Sequence, residues 1–293
     1  MRALVTGSSG FIGSAFVDHL DGLGWDVNVK DIVTDGDAID FFRSGWSMQY
    51  DLIVHAAYTV GGRVTIDGNN MALANNLALD AAAVQYALQT GSRLLYFSSS
   101  AAYPVRLQNG DIPRKLREYD LDTRDFRTFL PDAHYGWAKL TGERLVQQAQ
   151  TLGLNAHIVR PFSGYGENQT LDYPFMSIVS RAVEGDFSVW GPPEQTRDWI
   201  HIDDMIDACM AIIKADYQKP INLCTGRGTT MGQLMQRAYR AWARQDLPDD
   251  AITYQLDKPT GVIHRVGHPG KLFDIYRPKI SLNEGIRRAL LQF

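Results

Sequence analysis

The stretch that decides the fold stands at the start of the chain: Val5–Ser14, VTGSSGFIGS. It follows the strand-like run RALV (2–5) and opens into FIGSAFVDHLDGLG (11–24), whose apolar residues recur at helical spacing. Glycines at 7, 10 and 13 have separate uses in such a strand-to-helix turn. Gly7 permits the tight turn, Gly10 lets the backbone approach a pyrophosphate, and Gly13 lets the helix pack closely on the strand. The amides from Ser9 through Phe11 and Ile12, with the helix dipole behind them, suit an anion. A glycine-rich turn alone is weak evidence. Its place between the first strand and the first helix is the context that makes it a dinucleotide-binding turn.

Working outward, strand-like runs alternate with longer helical patterns, which predicts βαβ units and a parallel sheet. DVNV (26–29), DLIVHAA (51–57), RLLYFSS (93–99) and NAHIVR (155–160) read as strands. An alanine-rich helix precedes Gly91, and HYGWAKLTGERLVQQAQ (134–150) reads as a second long helix. Only nineteen residues separate Asp31 from Asp51, too few for helix, strand and helix, so one βα unit is trimmed there. The expected fold is α/β, a doubly wound Rossmann sheet with a smaller substrate domain. The cofactor domain is expected over 1–160, rejoined by about 194–218, with 161–193 and 219–293 forming the substrate domain. SLNEGIRRAL (281–290) predicts a closing helix with Ser281 as N-cap and Glu284 at its third position.

Composition excludes several classes. The chain has 293 residues, 29 basic and 33 acidic, with net charge −4 and no basic run, so nucleic acid is not an expected partner. Two cysteines, Cys209 and Cys224, lack the spacing of a zinc site or a disulfide framework, so no metal is expected and a reducing cytosol fits. No signal-peptide order and no membrane-length apolar run are read, and a cytoplasmic protein without membrane association is expected.

Asp31 closes DVNVKD eighteen residues after Gly13. A carboxylate there accepts from the adenine ribose hydroxyls and repels a 2′-phosphate, which favours NAD; neighbouring Lys30 leaves room for NADP. Tyr135 and Lys139 lie one turn apart on a helix face, where an ammonium can act on a phenol. The pair reads either as chemistry or as a surface coincidence. Ser98, Ser99 and Ser100 end a buried strand, a costly place for hydroxyls without partners.

Together TGSSGFIG, DLIVHAA, Asn76, FSSSAAYP, YGWAK, IVRPFSGYG, RDWIHIDD, INLCTGRG and SLNEGIRRAL resemble the extended branch of the short-chain dehydrogenase/reductase superfamily, the nucleotide-sugar epimerases, dehydratases and reductases. The resemblance covers nearly the whole chain. It implies that Ser99, four residues before Tyr103, holds the reacting oxygen, that Tyr135 is the acid/base, and that Lys139 lowers the phenol's pKa and holds the nicotinamide ribose. It also implies adenine contacts at Asp37 and Ala38, room for the cofactor at Ala56 and Ala57, and Asn76 bridging backbone groups or water. Ser100 and Ser163 are implied substrate contacts. Arg197 is implied to grip a diphosphate, or else to form an ion pair with Asp203 or Asp204. His55, His134, His157 and His201 read as structural. Relatives dimerise through two helices per subunit, and a homodimer is implied.

Departures from the family pattern bear on the reaction. Dehydratases carry Asp-Glu where this chain has Ser100 and Ala101, and decarboxylases and cysteine-dependent 3,5-epimerases place their acid/base where Ala101 stands. An alanine supports redox at one carbon without adjacent proton chemistry. A C4-type nucleotide-sugar epimerase is the leading expectation; a sugar ketone/alcohol oxidoreductase and a non-catalytic NAD sensor are the alternatives. Ser163 replaces an asparagine that contacts substrate in many relatives, which leaves the sugar open.

Overall fold

A computed structural model describes residues 1–44, 48–60, 71–110, 112–121 and 130–293. Six strands form a parallel sheet: β1 (Arg2–Thr6), β2 (Asp26–Lys30), β3 (Leu52–His55), β4 (Leu94–Phe97), β5 (Ala156–Pro161) and β9 (Ile221–Leu223), in the order β2-β1-β3-β4-β5-β9. The central strands are short, unbroken apolar runs because both faces are covered. Ala3, Val5, Leu52, Val54, Leu95, Phe97 and Val159 point into one core, while Leu4, Ile53, Leu94, Tyr96 and Ile158 point into the other. That is the period-two alternation of a strand sorted into two helical layers.

On the first face lie α1 (Phe11–Gly22), through Phe16 and Leu20, and α6 (Ile202–Lys214), through Met205, Ile206 and Ile212. The second face carries α2 (Ala38–Ser44), α3 (Ala72–Thr90) and α4 (Ala133–Gln150). The expected trimming is observed: α2 joins β2 to β3, and among the described residues no strand lies outside β2. The chain reverses direction across the sheet between β1 and β3, and a crevice opens at such a switch point, beyond the carboxyl ends of the strands. Register sets Thr6 opposite His55, and His55 opposite Tyr96, at that edge.

A second, four-stranded group contains β6 (Ser163–Tyr165), β8 (Thr196–His201), β10 (Gly228–Thr230) and β12 (His264–Arg265). β7 (Ser188–Trp190) pairs with β11 (Thr253–Gln255). A third core joins α5 (Pro174–Glu184) to α7 (Met231–Ala243). Within the range 194–218, β8 belongs to the second sheet; the return to the large sheet is made by α6 and runs on to β9. After α8 (Gly270–Ile275) the chain closes with α9 (Leu282–Ala289), where the Ser281 side chain accepts from the Glu284 amide at 3.2 Å, as the sequence predicts.

Candidate active site

The crevice is a cavity of about 940 Å³ that runs from the glycine turn to the start of α4. At the turn, Gly7 has φ +70°, and a Cβ there would lie 2.6 Å from the Ala57 backbone. A Cβ on Gly13 would lie 2.0 Å from the Gly7 carbonyl oxygen. The two loops and α1 therefore meet backbone to backbone, which only glycine allows. Gly10 caps α1 without a side-chain hydrogen bond, and no acidic residue stands in the first turn. The helix start is thus left to an external acceptor. Asp31, buried, accepts from the Ser9 amide and the Val33 amide, each at 2.9 Å, and so ties the end of β2 to the turn. Asp37 accepts from the Ile39 amide at 2.8 Å at the start of α2.

At the other end Ser99 caps a short 3-10 turn, accepting from the Ala101 amide at 3.1 Å. The Asp132 amide donates to the Ala101 carbonyl at 2.9 Å. A Cβ on Gly136 would fall 2.4 Å from that same carbonyl, so a glycine lets α4 enter directly against the turn. Ala133, in the first turn of α4, takes φ +54°, a strained value for a residue with a Cβ. This entry brings the Tyr135 phenol to Ser99, whose hydroxyl is near enough to hold its pKa down.

Burial pushes the Tyr135 phenol up to about 12, opposed by the Ser99 hydroxyl and the Arg265 guanidinium. The positive pull on the phenol comes from Arg265, which no sequence pattern indicates. Arg265 is itself held by Gln108 and Asp132, both at 2.7 Å. Lys139 stands 6.0 Å from the Tyr135 ring centroid; its ammonium lies instead over the Tyr58 ring, 3.2 Å from the centroid. Burial lowers the Lys139 ammonium to about 8, with Asp80 pulling it back up. Lys139 is 4% exposed and has no hydrogen-bond acceptor among the described residues.

Gly7, Ser9, Gly10, Phe11, Ile12, Gly13, Asp31, Asp37, Ala38, Ala56, Ala57, Asn76, Ser99, Tyr135, Lys139, Ser163 and Arg197 all line this one cavity. Ser100 does not: it is buried in the 3-10 turn, whose path carries it away from Ser99. Asn76 bridges backbone, accepting from the Thr59 amide at 2.8 Å and donating to the Thr59 carbonyl at 3.0 Å. Arg197 donates to the Thr196 carbonyl at 2.9 Å. Asp203 pairs with Arg288, and Asp204 accepts from Tyr276, Lys279 and Ile280, so the alternative partners of Arg197 are engaged elsewhere. His157 bonds the Tyr217 carbonyl, His201 caps α6, and His134 is exposed.

Sequence reasoning missed Tyr58, Asp80 and Arg265. Asp80 follows Asn76 by four residues on one helix, a spacing that puts both on one face. Tyr58 and Arg265 carry no such signal.

A doubly wound sheet that opens a glycine-lined crevice at its switch point, closed at the far end by a tyrosine–lysine helix, is the architecture of the extended short-chain dehydrogenase/reductases. Comparison with known proteins narrows this class. The NAD dependent epimerase/dehydratase family matches residues 3–224, and the chain belongs to that family. It is 23% identical to a putative GDP-L-fucose synthase 2 of Oryza sativa subsp. japonica, over 98% of this chain and 85% of the relative. It is 25% identical to UDP-glucuronic acid decarboxylase 1 of Arabidopsis thaliana, over 100% of this chain and 70% of that protein. The fold matches the Thermus thermophilus UDP-glucose 4-epimerase in complex with NAD, with TM-score 0.80, 21% identity, and 99% and 98% of the two chains covered.

Proposed function

We propose that this protein is an NAD-dependent nucleotide-sugar epimerase of the C4 type. The observation that carries the reading is the set of groups beside the reacting position. Ser99 and Tyr135 stand together at the cavity wall, whereas Ser100 is buried off it and Ala101 has no acid or base to offer. One alcohol proton can be taken and returned there; elimination or decarboxylation would need a further acid or base at those positions.

The site fits NAD. The uncapped start of α1 suits a pyrophosphate, Asp31 suits ribose hydroxyls, and the Lys139 ammonium lies against the cavity without an acceptor among the described residues. Ser98 Oγ, which also lines the cavity, is buried without a partner among those residues. When bound, NAD supplies the hydride acceptor and donor. Ser99 orients the sugar hydroxyl toward Tyr135, and Tyr135, as phenolate, takes its proton. Lys139 holds the ribose and keeps positive charge at the site. Turning of the ketone in the pocket presents its other face, and Tyr135 returns the proton. Arg197 is assigned to the diphosphate and Ser163 to the sugar.

We assign 1–160, with the return through α6 and β9, to the cofactor, and the remainder to the substrate. A homodimer through α3 and α4 is part of this reading, supported by half-exposed Trp137 and Leu145 on α4. A cytoplasmic setting suits Cys209 and Cys224, both buried and unpaired. No helix among the described residues is long and apolar enough to cross a membrane.

A net oxidoreductase is the second reading, favoured by Lys30 beside Asp31 in the cavity wall, which leaves NADP open. Incubation with UDP-, GDP- and dTDP-sugars without added reductant separates the two. Interconversion of C4 isomers is the expected result. Turnover only with stoichiometric NAD(P)(H) would sink the epimerase, and tight NAD binding without any turnover would point to a sensor.

A further inference from the structure

Beneath Lys139, the ends of three neighbouring strands and α3 enclose a buried polar chain. The Ala57 amide donates to Thr6 Oγ1 at 3.2 Å, Thr6 Oγ1 stands 3.0 Å from His55 Nδ1, and His55 Nε2 stands 3.1 Å from Asp80 Oδ1. Tyr96 Oη donates to Asp80 Oδ2 at 2.8 Å, and Tyr58 Oη donates to the same oxygen at 3.3 Å. Thr6 Oγ1 accepts from Ala57 and still has a lone pair and a proton to offer Nδ1, while Nε2 of His55 faces the Asp80 carboxylate. A carboxylate at Asp80 only accepts, so Nε2 carries a proton aimed at it. Asp80 thus accepts from His55, Tyr96 and Tyr58, an arrangement that suits an ionised carboxylate.

This carboxylate is fully buried, and such a charge is tolerated only with a partner of opposite sign or a full set of donors. The nearby buried cation is Lys139, which lies over the face of Tyr58 while the Tyr58 hydroxyl reaches Asp80. A second feature shows that the spot is built for the carboxylate. Gly142, three residues after Lys139 in α4, has no room for a Cβ, which would fall 2.1 Å from Asp80 Oδ2 and 2.0 Å from Tyr96 Oη.

We propose that Asp80 is a positioning residue of the site: its buried carboxylate, acting through the Tyr58 side chain, is the counter-charge that keeps Lys139 an ammonium at the cavity. The proposal rests on the reading of Lys139 as the cation of the cofactor site. The other titratable groups around Lys139 are accounted for. Glu143, on the same helix, is engaged by Arg160 of β5 through two hydrogen bonds. Tyr96 of β4 and His55 of β3 belong to the Asp80 chain. Tyr135 faces Ser99, Arg265 and Tyr173 across the cavity. Since burial pulls the ammonium down and Asp80 pulls it up, removing the Asp80 charge makes Lys139 lose its proton at lower pH.

The test is Asp80→Asn, which keeps the shape and removes the charge. In protein labelled with 13C at lysine Cε, the Lys139 resonance, assigned by its loss in Lys139→Arg, reports the titration directly. The expected midpoint is near 8 in the unmodified protein and about one unit lower in Asp80→Asn. The alkaline fall of kcat/KM should move down with it. An unmoved Lys139 midpoint in folded Asp80→Asn overturns the proposal. If Asp80→Asn does not fold, Tyr58→Leu removes the ring that links the two charges and should also lower the midpoint; no change there overturns it too. A midpoint that moves as expected supports the proposal even where the unmodified protein turns over no sugar, an outcome that counts against the catalytic reading alone.

Discussion

Replacing Gly13 with alanine tests the crevice at its tightest point. The new Cβ would sit 2.0 Å from the Gly7 carbonyl oxygen and 2.6 Å from the Gly7 carbonyl carbon, whereas ordinary contact begins at 3.4 Å. Both obstacles are backbone, so α1 and the glycine turn must separate by about an ångström, a strain typical of overpacking at about 1–3 kcal/mol. Separation also loosens the Gly10 amide from the Gly7 carbonyl, now 3.0 Å apart, and with it the amides offered to a pyrophosphate. Misplacement on that scale weakens a positioned site by about 100-fold, so an NAD affinity about 10–100-fold weaker is expected, about 1.4–2.7 kcal/mol. With unfolding entropy of about 2.1 cal/mol/K per residue, a loss of about 2 kcal/mol lowers the Tm by about 3 °C. Gly22→Ala, at the end of the same helix with nothing within 4 Å, is the control and should be neutral or stabilising by up to about 1 kcal/mol. Calorimetric titration with NAD and thermal melting measure both quantities. NAD affinity within about twofold and an unchanged Tm in Gly13→Ala would refute the close-packing account of the turn.

Tyr135→Phe should abolish turnover while NAD binding persists, measured by product analysis and titration; retained activity removes Tyr135 as the base. Arg265 lowers a phenol that burial raises, so its loss should push that pKa further up. The rising limb of kcat with pH should accordingly move to higher pH in Arg265→Met and stay near its original place in Arg265→Lys, which keeps the charge. A limb unmoved in Arg265→Met would remove the guanidinium from the account. Asp31→Asn takes away the charge that repels a 2′-phosphate, and the NADP/NAD affinity ratio should rise by about 10-fold or more; an unchanged ratio shows that Asp31 does not select the cofactor.

The parts of the site that sequence revealed are those whose geometry is local. A glycine at 7 or 13 is required by a turn and a helix start a few residues away, and Tyr135 and Lys139 share a face because helices repeat every 3.6 residues. Asp31 is readable for a similar reason, since the end of a second strand falls at a nearly set distance from the first turn. The strand runs themselves were legible because a sheet covered on both faces leaves few polar positions to obscure them. Even the alanine at 101 was informative without coordinates, because it follows so closely on Ser99.

Tertiary structure decided everything that depends on neighbours from distant parts of the chain. Strand order β1-β3-β4 sets Thr6, His55 and Tyr96 side by side, and the packing of α3 against α4 brings Asp80 under Lys139 with Gly142 making the space. Asp80 shares a helix face with Asn76, but no periodicity relates it to Lys139, so its part as counter-charge could not be read from spacing. The inward turn of Ser100 and the approach of Arg265 to Tyr135 have the same origin. Local patterns determined which residues could serve a dinucleotide; burial, set only when the layers close, pushes the Tyr135 phenol up and the Lys139 ammonium down.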